Sequence, residues 1–230
     1  NETDYISFHG QTICHSPEKK ITLQLGDPQL LANLTKKKVF FNFRKNDINN
    51  NGQGAPIAPV YHKYLIKSFK LELPACVINI GGISNIAYWD GVNLVGFDVG
   101  PGNALMDKFV RLKTGNFYDN SGHLASKGRI ILKFLNQFLK DPFFKKQYPK
   151  SLDKNYFNKY LNDLILNNFC TEDIMTTLSN FTSKAILNSF KLLPKKPRTF
   201  ILMGGGYKNK FLKSNLEKAI GKKFLNEQDL

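Results

Sequence analysis

Arginine is scarce in this chain. Of 33 basic side chains only Arg44, Arg111, Arg129 and Arg198 carry a guanidinium, and the other 29 are lysines. Nucleic-acid recognition favours the arginine fork for bases and phosphates, so the formal charge of +15 reads as a solvated lysine surface, without a nucleic-acid partner. Acidic residues are thin in the second half: residues 1–110 carry 11 basic and 9 acidic side chains, residues 111–230 carry 22 and 9. Cysteine is also rare. Cys14, Cys76 and Cys170 have no CxxC spacing, which excludes a disulfide framework or a zinc ribbon and fits reduced thiols in the cytoplasm. No apolar run approaches the length of a membrane span, and no basic segment followed by a hydrophobic stretch opens the chain, so neither a membrane partner nor export is expected. The chain begins at Asn1 and enters a strand almost at once, as a fragment or a processed product does.

What is present is an alternation of strands and helices. Tyr5 to His9, Ile21 to Leu25 and Val39 to Phe43 are β-rich runs ended by turn residues, and 46–55 is a polar, glycine-bearing loop. Residues 57–70 have helical spacing. A border is expected at 74/75, after which three strands (75–80, 84–89, 92–98) form a meander and a helix follows over 103–113. Further helices are expected over 126–140, 156–169 and 171–193. A last buried strand, 199–203, runs into Gly204-Gly205-Gly206 and a helix reaching about Ile220.

Several positions carry chemistry. Gly81-Gly82 is either an ordinary hairpin turn or a nest whose amides cradle an anion. Gly204, Gly205 and Gly206 stand between a strand and a helix, which suits either a tight turn or a nucleotide. Neither segment is a Walker A loop or a GxGxxG fingerprint. Asp98 closes the run GVNLVGFD ahead of VGPG and is either a turn aspartate or a general base at a sheet edge. Asp107 is expected to be a surface or capping group. His9, Cys14 and His15 lack a third ligand at useful spacing, so no metal site is expected among the side chains. Arg44, Asp47, Gln53 and Gly54 lie in loops with the polar chemistry that orients sugar hydroxyls.

In order along the chain stand HGQT, TLQLGDP, FRKNDI, GQGAP, NIGGISNI, GFDVGPGNALMD, YDNSG and MGGGYKN. Together they resemble the anhydro-N-acetylmuramic acid kinases, over essentially the whole chain. The resemblance implies an α/β, actin-like (RNase H-like) fold of two domains. Residues 1–74 are then the remnant of the first, sugar-side domain, and residues 75–230 the second, with the phosphate and adenosine loops. It implies ATP and Mg²⁺ as cofactors and a small-molecule sugar as partner, and leaves a homodimer open. The activity implied is opening of the 1,6-anhydro ring of the muramic sugar with phosphorylation of O6, in peptidoglycan recycling. Asp98 would be the catalytic base, Gly81 and Gly82 would belong to a phosphate loop, and Gly204–Gly206 to the adenosine loop. Arg44, Asp47, Gln53 and Gly54 would line the sugar side. The family's opening hairpin with GTSxDGxD and its closing helix have no counterpart here. The first domain is therefore expected to be incomplete and the chain a poor kinase by itself, or a remnant that at most binds ligand.

Overall fold

The β-rich runs at the start of the chain make short strands: β1 (Tyr5–Ser7), β2 (Gln11–Ser16) and β3 (Ile21–Leu25). Asp27 then caps α1 (Pro28–Thr35), accepting the amides of Gln29 and Leu30 at 2.9 Å on one oxygen. β4 (Lys38–Phe40) pairs in parallel with β1, and β2 pairs with β3 in a hairpin. The expected strand over 39–43 stops at Phe40, because Asn42 turns left-handed (φ 61°) into α2 (Phe43–Asn49). That helix takes up the first part of the expected loop.

The computed structural model describes residues 3–153, 155–226 and 229–230. By contacts they fall into two compact units, 1–57 and 58–230. This division lies ahead of the expected 74/75 border because α3 (Pro59–Ser68) packs on β6 (Ile83–Trp89) and β7 (Leu94–Pro101) of the second unit. Pro59 meets β7 at Gly96, where any Cβ would collide with the proline ring. Sheet membership still begins at β5 (Ala75–Ile80): no described residue before it contributes a strand to the sheet of the second unit.

That sheet has five strands in the order β7-β6-β5-β8-β9, where β8 is Thr199–Met203 and β9 Leu225–Asn226. β6 is antiparallel to both its neighbours, while β8 and β9 run parallel to β5. In chain order this is third-second-first-fourth-fifth, with only the second strand reversed. Both faces are covered, which is why β5 is apolar almost throughout. Cys76, Ile78 and Ile80 face the larger core with Phe97, Phe109 and Phe181, while Ala75 and Val77 join Ile66, Ala87 and Trp89 on the other side.

The larger core is closed by helices α4 (Ala104–Thr114), α5 (Leu132–Phe138), α6 (Asn158–Leu166), α7 (Thr171–Ser189) and α8 (Lys210–Ile220). The helix expected over 126–140 begins only at Leu132. Its first residues are tied instead to α7: Arg129 N donates to Asp173 Oδ1 (2.6 Å), Ile131 N to Thr177 Oγ1 (2.9 Å), and Thr176 Oγ1 to the Ala125 carbonyl (2.7 Å). Asp141 knots α6 to this core. Its fully buried carboxylate accepts from Tyr156 Oη (2.9 Å), Phe143 N (2.9 Å), Lys159 Nζ (2.9 Å) and Tyr160 Oη. Burial pushes its pKa up, but these donors outweigh burial and hold it below the ordinary carboxylate value.

Asp141→Ala leaves the Tyr156 and Tyr160 hydroxyls and the Phe143 amide without their acceptor and is expected to cost about 3 kcal/mol, read as a shift in urea midpoint. The folded pKa is depressed, so the stabilisation is present above the unfolded value near 4 and is lost as pH falls through the folded value. Acid titration of the variant should therefore show a shallower loss of stability than the parent.

Candidate functional site

The carboxyl ends of β5 and β8 lie side by side, and three glycine-bearing segments meet there. The carbonyl of Gly81 accepts the amide of Asn103 (2.7 Å), and that of Gly82 accepts those of Gly102 (3.0 Å) and Ala104 (3.2 Å). The β5–β6 turn is thus sewn to the start of α4, so closely that a Cβ on Gly102 would collide with the Gly81 carbonyl. Gly204 sits at φ 77° with Asn79 Oδ1 and Ile80 O at 2.6 and 2.7 Å from where its Cβ would be, and only glycine fits. Gly81, Gly82 and Gly205 differ. None has a positive φ, and a Cβ there would meet nothing nearer than 3.5, 3.6 and 3.8 Å. Folding does not demand glycine at these three positions.

Beside them lies a cavity of about 340 Å³ lined by Asn103, Asp107, Tyr118, Asn120, Gly205 and Lys208 among others. Its walls come from the start of α4, the 118–122 turn and the segment between β8 and α8. Asp119 shapes that turn by accepting the amides of Leu124 (2.9 Å) and Ala125 (3.0 Å). Gly122 then packs directly on Asn209, whose Oδ1 caps α8 through Leu212 N (3.0 Å). Asp107 was expected to be a surface or capping group, but it is half-buried in this wall. Burial, offset in part by Arg111, raises its pKa to about 6.

Asp98 does not end its strand, as the sequence suggested. β7 continues through Pro101, with Asp98 opposite Asn85 and Gly100 opposite Ser84, so Val99 is the extra residue of a bulge. The bulge absorbs the glycine-rich continuation that looked like a turn. β7 is an edge strand, and the 148–152 segment runs over it: Asp98 N donates to the Lys150 carbonyl (3.1 Å), and Leu152 N donates to Asp98 Oδ2 (2.8 Å). The carboxylate is 7% exposed.

In the first unit, Arg44, Asp47 and Gly54 come together. Arg44 donates through Nε to His9 Nε2 (2.8 Å) and through Nη1 to the Gly54 carbonyl (2.7 Å), while Gly54 N donates to Asp47 Oδ2 (2.6 Å). A guanidinium can only donate, so His9 carries its proton on Nδ1, which donates to Gly10 O (2.8 Å). Arg44 and Asp47 stand on α2 and not in a loop as expected, while Gln53 and Gly54 lie in the loop that follows it.

The family model for anhydro-N-acetylmuramic acid kinase matches residues 1–229. The chain belongs to this family. It is 43% identical over 218 residues to the anhydro-N-acetylmuramic acid kinase of Rhodopseudomonas palustris strain CGA009, covering 94% of this chain and 58% of the relative. It is 41% identical over 231 residues to that of Pelagibacter ubique, covering 96% and 60%, and 40% identical over 220 residues to that of Nitrobacter winogradskyi, covering 95% and 59%. The chain thus spans about three-fifths of the length of these curated relatives. The motifs GPGNALMD, YDNSG and MGGGYKN, far apart in sequence, are the ones that line the cavity. Sequence reasoning singled out Gly205 there but missed Asn103, Tyr118, Asn120 and Lys208, although each stands inside one of those motifs.

Gly205→Val, which meets no backbone, should narrow the cavity with little change in melting temperature. Gly206→Ala, which drives a methyl into Ile80, should instead lower the melting temperature. Thermal unfolding of the two variants separates them. Because the folded pKa of Asp107 lies above its unfolded value, stability is lost as pH rises from about 4 to about 6. Asp107→Asn should remove that loss, raising stability above pH 6 relative to the parent and not below pH 4.

Proposed function

We propose that this chain carries the nucleotide-binding and base-bearing part of a sugar kinase that uses ATP to convert 1,6-anhydro-N-acetylmuramic acid into N-acetylmuramate 6-phosphate, in cytoplasmic recycling of the cell wall. The observation that carries the reading is the convergence of three family motifs on one cavity, beside glycines that folding does not require. In this reading residues 75–230 form the second domain and residues 1–74 part of the first.

Gly81 and Gly82 let phosphates approach the backbone of the β5–β6 turn, and Gly204–Gly206 bring the adenosine against the start of α8. The cavity fits a nucleoside in the chemistry of its walls: amide, phenol, carboxylate and ammonium groups around a backbone without side chains at Gly205. Mg²⁺ takes one or two carboxylates and completes its shell with water and phosphate oxygens. Of the cavity carboxylates Asp119 is committed to two amides, which leaves Asp107 to meet such an ion or its waters. The ion's contribution when bound is to neutralise charge on the phosphates.

Asp98 is the proposed base. Its backbone is fixed from the 148–152 segment and Oδ2 is oriented by Leu152 N, so little reorganisation is needed when it accepts a proton. A water giving its proton to Asp98 attacks the anomeric carbon, the C1–O6 bond of the anhydro ring breaks, and the freed O6 takes the γ-phosphoryl group of ATP as its bond to the β–γ bridging oxygen breaks and ADP leaves. Arg44, Asp47, Gln53 and Gly54 are assigned to the sugar's hydroxyl and acid groups. The His9–Arg44–Gly54–Asp47 chain of hydrogen bonds holds that loop in shape.

A second reading, a stretch that binds ligand but turns over poorly by itself, is favoured by the first unit. Among its described residues only Ile48 and Gly54 are buried. Mass spectrometry of ATP-dependent sugar phosphorylation decides between them, using this chain and the same chain extended to the length of the R. palustris relative. Turnover only in the extended protein supports the family reaction together with the second reading; equal turnover supports the first alone; none in either overturns the proposed reaction. In whichever protein is active, Asp98→Asn should abolish turnover while sugar affinity stays within a few-fold, since loss of a base removes a transition-state role. Near-normal kcat in that variant would remove Asp98 from the role.

A further inference from the structure

A second cavity, of about 280 Å³, shares no lining residue with the first. It opens between the bulge of β7 at Val99 and the end of α7, and its polar walls are Lys145, Lys150, Lys191, Asn188 and Ser189. Among the described residues no carboxylate lines it. Lys145 and Lys191 are exposed at the rim, whereas Lys150 is 5% exposed. Among the described residues its ammonium has one distant acceptor, the Phe143 carbonyl at 3.5 Å, and it faces the Phe143 and Phe97 rings at 4.6 and 5.5 Å from their centroids. A buried ammonium is normally met by a carboxylate or several acceptors. The rings and one carbonyl offset part of its desolvation, and burial together with nearby Lys146 lowers its pKa to about 8.

We propose that this cavity is a binding site for a small phosphate-class oxyanion, inorganic phosphate or the phosphate group of a phosphomonoester. A dianion fits a cavity whose lining takes in three lysines and, among the described residues, no carboxylate, and Asn188 and Ser189 add uncharged polar groups to the wall. The carbonyl of Lys150 accepts the amide of Asp98, so an anion on Nζ tightens the segment that also holds Asp98 Oδ2. The site is independent of the kinase reading, because it is defined without nucleotide or sugar.

The test is calorimetric titration of the whole chain with inorganic phosphate and, separately, with a hexose 6-phosphate, in a buffer without oxyanions. Lys150→Met and Lys191→Glu should each weaken binding by about tenfold or more, and Lys150→Arg should restore most of it. Lys208→Ala, on the first cavity, should leave it unchanged. Tighter binding of the hexose phosphate than of phosphate identifies a phosphomonoester as the ligand; equal or weaker binding identifies the free ion. Lys191 is exposed, so its variant keeps the test valid if Lys150→Met fails to fold. No binding at millimolar concentrations overturns the site. Binding that survives in Lys191→Glu, or is lost only in Lys208→Ala, does so too, and neither result touches the kinase reading.

Discussion

The carbonyls of Gly81 and Gly82 accept three successive amides at the start of α4, and this backbone-to-backbone contact sets the position of everything around the first cavity. Helix amides at a start like this are ordinarily left for a side-chain cap or a ligand. Here a hairpin turn satisfies them, and Asn103, with no side-chain capping bond, points its amide toward Ile80 O (3.4 Å) instead. At the same end of β5, Gly204 and Gly206 pack against Asn79 and Ile80. A single arrangement therefore locks two loops and a helix together at the ends of β5 and β8, the place where open α/β sheets bind ligands.

The second unit was largely legible in its sequence because its signals are redundant. β5 and β8 are short apolar runs bounded by turns, β6 and β7 follow paired turn residues, and α7 has a long apolar stripe. Reading failed where tertiary bonds override local pattern. Residues 126–131 have helical composition, but the amides of Arg129 and Ile131 go to Asp173 and Thr177. Asp98 looked terminal because glycines follow it, although the strand runs on through a bulge. α1 and α2 are short helices beside turn-forming residues, with too few turns for periodicity to show. In the site, glycines stood out in sequence, whereas the side chains of the cavity wall come from three segments whose meeting only the fold reveals.

The first unit lacks this redundancy. Its strands are paired two by two, and Ile13, Ile21, Leu23 and Leu25 of the β2–β3 hairpin are exposed. Two-stranded sheets are marginal in water unless something covers an apolar face. The polar chain through His9, Arg44, Gly54 and Asp47 contributes shape to the loop, but it contributes little buried apolar area.

The segment over β7 has a meaning beyond chemistry. An edge strand offers unpaired amides and carbonyls to any other chain able to add a strand. At Asp98 the Lys150 carbonyl takes the backbone amide, and Leu152 gives its own amide to the side chain. The bulge at Val99 breaks the even spacing a second chain would need. The residue proposed as the base is thus also where the edge of the sheet is covered. A substitution that loosens 148–152 would be felt first as aggregation, before any effect on turnover could be measured.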